Sequence, residues 1–230
     1  MPPPLNLILR DAQHHDHPVI REVLAASFTD GAVACWLDPD PQTRRQRTVD
    51  YFHDVVHDAL NTGIVRLVEE DREVVAAALW RPTPTHVVHT RGSDPADPAD
   101  IGPDVDAAAA GVAHRLRLLQ ALLHEHTPRR AHHYLDFIGV RPDRQNRGIG
   151  AHLLAGHHCL LDTMSVPAFL HANDARNRAL YTRHGYTDLG DRIELSDGPL
   201  IWPMWRDPTP LTPADHRSGD SVAGGQAHRG

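Results

Sequence analysis

Two hydrophobic periods take turns along the chain. From Leu5 to Arg10 apolar and polar residues alternate, the signature of a half-buried strand. Asp16 then sits at a helix cap with Pro18 in the first turn. Val19, Ile20, Val23, Leu24 and Phe28 follow as a stripe at helical spacing. Asp38-Pro39-Asp40-Pro41 is a break. A second helix carries Val49, Phe52, Val55, Val56 and Leu60 and stops at Thr62-Gly63. Residues 64–69 and 74–81 flank Glu70-Asp71-Arg72-Glu73, which reads as a hairpin turn. Residues 82–106, rich in Pro, Asp and Gly, read as a long loop. The pattern then predicts a helix over 107–125, a strand over 133–140 and a loop over 141–147. A helix over 148–163 follows, with Ile149, Leu153, Leu154 and Leu160 on one face. Next come a strand over 166–172, a helix over 175–184, and closing strands over 187–195 and 200–205. Residues 207–230 have almost no large apolar side chains and are expected to form a disordered tail, leaving one domain over 1–206.

Composition narrows the class. Apolar residues make up 40% and charged residues 23%, ordinary for a soluble domain. A net charge of -7 argues against nucleic acid, which would select a basic face. No apolar run approaches the roughly 20 residues that span a bilayer, and Met1-Pro2-Pro3-Pro4 lacks the features of a signal peptide. Two cysteines, Cys35 and Cys159, make no disulfide framework, so a reducing cytoplasm is the expected location. Cys159 falls in a helix with an apolar face and reads as packed. All cationic side chains are arginine.

The informative unit is a strand, Tyr134 to Val140, then Arg141-Pro-Asp-Arg-Gln-Asn-Arg-Gly-Ile-Gly150, then a helix. Gly148 and Gly150 let the backbone approach a ligand closely. The free N–H groups and positive dipole of the helix start favour a phosphate there. Arg144 and Arg147 add charge. No lysine is present for a P-loop, and the spacing is not that of a dinucleotide motif.

These residues resemble the pyrophosphate loop of the GNAT N-acetyltransferase superfamily, Gln/Arg-x-x-Gly-x-Gly/Ala after a strand ending in apolar-x-Val. Ile138-Gly139-Val140 followed by Gln145-Asn146-Arg147-Gly148-Ile149-Gly150 fits without a gap. Leu180-Tyr181-Thr-Arg-His-Gly185-Tyr186 is similar to a second motif of the superfamily, Leu-Tyr-x-x-x-Gly-Phe. Within it the chain is similar to the puromycin N-acetyltransferases over most of 5–206, best at 166–170 and 175–181. The resemblance implies an α/β (α+β) GNAT fold: a mixed, mostly antiparallel sheet of about six to seven strands with a parallel central pair, flanked by helices. It implies acetyl-CoA as donor, a small-molecule amine as acceptor, and direct attack of the amine on the thioester. The donor would be held by Ile138, Gly139, Val140, Arg144, Gln145, Asn146, Arg147, Gly148, Ile149, Gly150, Ala151 and Asn177. Tyr181 would lie beside the sulfur and protonate the leaving thiolate.

The base is open between Asp136, His171, the two acting together with the carboxylate orienting the imidazole, and a water relay. The puromycin-type pattern has glutamate where this chain has His171, and imidazole suits the role with an unperturbed pKa near 6.5. Strict alternation would place Asp136 on one face with Tyr134, Ile138 and Val140. An acidic residue in an apolar strand is costly unless paired or used. Phe28, Trp36, Trp80, Tyr134 and Trp202 are the candidates for contacting the acceptor. Adjacent histidines diverge along a strand or helix, and no Cys cluster or H-E-x-x-H accompanies them, so no metal site is expected. Three alternatives stay open: a longer acyl-CoA, a carrier-protein thioester, and a non-catalytic acyl-CoA-binding domain. A homodimer is also open.

Overall fold

The computed structural model describes residues 6–84 and 107–210. Residues 85–106 of the expected loop and 211–230 of the expected tail lie outside them. Strand β1 (Leu7–Asp11) leads through a 3-10 turn (His14–Asp16) into α1 (His17–Phe28). Asp16 takes the N-cap position, but its carboxylate accepts from the Gln13 backbone N–H at 2.8 Å and from Arg10 at 2.7 Å instead of capping α1. A short helix the pattern did not announce, α2 (Ala32–Leu37), precedes α3 (Pro41–Thr62), which Asp40 caps through the Gln42 N–H.

The hairpin β2 (Ile64–Glu70) and β3 (Glu73–Thr83) turns at Asp71 and Arg72, both at positive φ, as a two-residue hairpin loop requires. Strand β3 therefore takes Pro82 and Thr83 from the expected loop. Helix α4 (Ala107–Glu125), β4 (His132–Val140), α5 (Ile149–Met164), β5 (Ala168–Ala172) and α6 (Ala175–Arg183) follow. The expected strand over 187–195 is two short pieces, β6 (Thr187–Asp188) and β7 (Ile193–Glu194), separated around Gly190 at φ +72°. Strand β8 (Leu200–Arg206) closes the chain order. The split raises the strand count to eight, in the order β1-β2-β3-β4-β5-β8-β6 with β7 also on β8; every pair is antiparallel except β4–β5.

Each face of the sheet has its own core. Helix α5 covers one with Ile149, Leu153, Leu154 and Leu161 against Val68, Ala76, Ala78, Leu135, Leu170 and Met204. Helices α1 and α3 cover the other with Ile20, Leu24, Phe52 and Val56 against Leu67, Ala77 and Leu79. Burial at this scale, about 25 cal/mol per Å² of apolar surface, is what holds the layers together. A third cluster joins Leu119, Ile193, Leu195 and Ile201 to Val33, Trp36 and Leu37. The inward stripe of α5 also takes in His157 and His158, whereas Leu160 is half-buried and Cys159 is exposed. Among the described residues, no helix is long and apolar enough to cross a membrane.

Candidate acyl-donor site

Strand β4 does not keep its alternation. Its register against β3 shifts so that Leu79 pairs Phe137 while Trp80 pairs Leu135, leaving Asp136 as an extra, bulged residue. A one-residue bulge flips every side chain beyond it. Leu135 thus packs under α5, Phe137 packs toward α1 and α3, and Ile138 and Val140 return to the α5 side. The expectation that Tyr134, Asp136, Ile138 and Val140 share one face is overturned. Tyr134 lies on the α1/α3 side, with its ring 5.5 Å from Phe169.

Beyond the bulge the two parallel strands part. β4 pairs β5 only from His133–Leu135 to Ala168–Leu170, yet β4 continues to Val140 and β5 to Ala172. The open wedge between them ends at the start of α5. There Asn146 and Gly148 both hold left-handed backbone, φ 64° and 80°, and no side chain caps the first turn of α5. The amide groups of that turn are thus free to meet an anion. At Gly148 a Cβ would meet nothing within 4 Å, so glycine is required there by backbone angle alone. At Gly150 a Cβ would lie 3.8 Å from both Leu180 and Val140, an ordinary contact, which places α6, α5 and the end of β4 around one point. Gly148→Ala should therefore cost about 1 kcal/mol, and Gly150→Ala should stabilise by up to about 1 kcal/mol through helix propensity. Urea unfolding of the two variants checks the opposite signs.

The other donor candidates are placed as follows. The Val140 carbonyl already accepts from Ser27 Oγ at 2.7 Å and from Gln145 Nε2 at 3.1 Å. Gly139 serves packing: a Cβ there would come within 2.9 Å of both Leu24 and Ser27 on α1. Asn146 accepts from Arg176 through its side-chain oxygen. The Asn177 amide donates to Asp174, the cap of α6, at 2.6 Å. Ile149 is buried, and Ala151 is half-buried on the first turn. Arg147 makes a two-pronged pair with Glu70, 2.9 and 2.6 Å, and Arg144 Nε lies 3.0 Å from the same carboxylate. Glu70 escaped the sequence reading because it looked like one polar residue of a hairpin turn.

Tyr181 is buried among Leu135, Leu170, Ala172 and Tyr186, with its hydroxyl making no hydrogen bond among the described residues. Burial, and the nearby Asp174, hold its phenol well above the usual range, so it remains protonated. On the other side of the sheet the Tyr134 hydroxyl lies 2.9 Å from His171 Nδ1. His171 Nε2 is shielded from solvent and has no hydrogen-bond partner among the described residues. Burial, with His126 and His132 nearby, pushes His171 down to about 3. Both oxygens of Asp136 are held by Arg81, at 3.0 and 2.7 Å. The Arg81 guanidinium also lies 5.0 Å over the Tyr134 ring.

The acceptor candidates do not gather. Phe28 packs with Phe52 and Phe137 on the α1/α3 side. Trp36 donates to the Ser196 carbonyl at 2.9 Å, in the third cluster. Trp202 borders a groove of about 680 Å³ with Arg178, Asp188, Arg192 and Glu194. Trp80 is 1% exposed and stacks on His157 at 4.0 Å beneath α5, so it is a core residue and not an acceptor contact. Among the described residues, no group of three or more His, Cys, Asp or Glu could hold a metal.

No protein-family model matches the sequence. Solved structures match most of it. One, from Corynebacterium glutamicum, is described as histone acetyltransferase HPA2 and related acetyltransferase; it is 21% identical over 90% of this chain and 98% of its own, with a TM-score of 0.64. The C-terminal condensation domain of Ebony, in complex with β-alanyl-dopamine, is 14% identical over 89% and 100%, with a TM-score of 0.62. An agmatine N-acetyltransferase is 11% identical over 88% and 99%, with a TM-score of 0.57. The parted parallel pair, the mostly antiparallel sheet and these likenesses agree that the chain has the fold of the GNAT N-acetyltransferases.

Proposed function

We propose that this protein is an N-acetyltransferase that moves the acetyl group of acetyl-CoA to the amine of a small molecule. The observation that carries the reading is the wedge between β4 and β5, closed at one end by the glycine-flanked, uncapped start of α5. An extended pantetheine arm fits beside an unpaired strand edge, and a pyrophosphate fits the free N–H groups. The small-amine acceptor draws support from the agmatine N-acetyltransferase likeness. Resemblance to the puromycin enzymes suggests an antibiotic or a biosynthetic intermediate.

In this reading the amine attacks the thioester carbon, the C–S bond breaks, and the Tyr181 phenol donates a hydrogen bond to the departing thiolate, which takes its proton from water. The proton lost by the amine is the harder question, and magnitudes favour one answer. Asp136 has both oxygens engaged by Arg81. An imidazole at about 3 taking a proton from an alkylammonium near 9 or 10 would oppose the reaction by roughly 8–10 kcal/mol, at about 1.4 kcal/mol per pKa unit. The acceptor is therefore bound as the neutral amine, with Tyr134 and His171 orienting its lone pair and the proton passing to water afterwards.

The test is release of free CoA thiol across a panel of amines that includes puromycin, agmatine and aminoglycosides, with acetyl-CoA binding followed by melting. Acetyl-CoA at a hundred times its Kd should add about 2.7 kcal/mol, a rise of roughly 5–10 °C at this size. Turnover should climb with pH along the amine's own titration. A melting temperature unmoved by acetyl-CoA would remove the donor. An acidic limb near pH 6.5 that vanishes in His171→Gln would restore His171 as the base.

A further inference from the structure

Glu70 reaches into the donor loop from another element and is the more buried of the two hairpin carboxylates that do so among the described residues. It ends β2, beside the positive-φ turn at Asp71 and Arg72, and is 8% exposed. A buried carboxylate demands partners, and both of those identified belong to the loop, Arg147 and Arg144. The pairing is geometrically informative because of where Arg147 sits. Its neighbours Asn146 and Gly148 are the two left-handed residues that aim the peptide groups ahead of α5. Left-handed backbone at a non-glycine residue is strained and holds only when its surroundings fix it. The two-pronged Arg147–Glu70 pair pins the residue between them. A second tie runs parallel: Arg141, at the loop entrance, contacts Glu73 across the same hairpin at 3.2 Å.

We propose that Glu70 is a positioning residue for the donor's phosphates: it holds Arg147 and Arg144, and through them the backbone N–H groups at the start of α5, in the arrangement that receives a pyrophosphate. The proposal rests on the acyl-CoA reading above. Glu70 engages only side chains, and Arg144 is shared between it and Asp143 at 3.0 and 2.8 Å, so the backbone N–H groups at the start of α5 stay free for phosphate. Glu70 itself touches no reacting atom.

The experiment compares acetyl-CoA with acetyl-pantetheine, which carries the same thioester without the phosphates. Wild type should bind acetyl-CoA far more tightly than acetyl-pantetheine. Glu70→Gln should raise the acetyl-CoA KM about ten-fold, leave kcat at saturating donor within two-fold, and leave acetyl-pantetheine kinetics unchanged. Glu70→Asp, one methylene shorter with its charge kept, should fall between, and it carries the same comparison if the glutamine variant folds poorly. A general loss of stability would lower both thioesters' use together and overturn the proposal, as would unchanged or tighter acetyl-CoA binding in both variants. If wild type itself does not distinguish the two thioesters, the donor reading fails rather than the role of Glu70 within it.

Discussion

Tyr181→Phe is expected to lower kcat about a hundred-fold while the Kd for acetyl-CoA stays within two-fold. The phenol sits in a packed, apolar environment with its hydroxyl unengaged among the described residues. Burial keeps it protonated. A protonated hydroxyl in a low-dielectric site can donate a hydrogen bond to the developing thiolate, and one such preorganised donor is worth about 10²–10³ in rate. The phenylalanine ring preserves the contact with Tyr186 and the fill of the surrounding cluster, so the loss should fall on the transition state and not on donor binding. Isothermal titration and steady-state kinetics separate the two. Unchanged kcat would remove the role as donor to the thiolate; a proportionate loss of affinity would make Tyr181 a packing residue.

The second large effect is acid lability. His157, His158 and His171 are each pushed down to about 3, in every case mainly by burial. His157 stacks on Trp80 and lies 3.1 Å from His133 Nδ1, and His158 lies 3.0 Å from the Tyr186 hydroxyl. A depressed folded-state pKa means that the unfolded chain binds protons the native state refuses. Stability is thus intact above the unfolded value of about 6.5 and drains away as pH falls toward 3. At pH 5 each histidine costs about 2 kcal/mol, and three cost about 6, against a typical total of about 5–15 kcal/mol. The urea midpoint should therefore collapse between pH 7.5 and 5.0. His157→Phe, which keeps the stack on Trp80, should flatten that fall by about one third. A midpoint constant across the range would show that these rings take up protons in the native state.

Much of the framework was legible from residues close together in the chain. The period-two and helical stripes located every long element, and helix 107–125 matched to the residue. Gly148 at φ 80° justified reading the glycine-rich loop as a turn into a helix. Local pattern fails where a neighbour in space sets the outcome. Alternation could not announce the bulge at Asp136, because the extra residue is defined only against β3. The paired histidines were dismissed as diverging, yet the stripe of α5 carries both into the core because Trp80 and Tyr186 meet them there. Trp80 looked like a pocket residue because composition does not tell which face of β3 is covered by α5.

Read alone, the sequence determined the order of the long elements, a glycine-containing turn into α5 and a donor-side resemblance resting on Gln145–Gly150 and Tyr181. These depend on backbone angles and spacing, which are local. Only the tertiary structure decided that β4 and β5 part after Leu135 and Leu170, that Arg81 holds Asp136, that Tyr134 meets His171, and that Glu70 grips the donor loop. The physical reason is shared: strand register, buried ion pairs and the desolvation of a histidine are properties of residues far apart in sequence, fixed only when the layers pack.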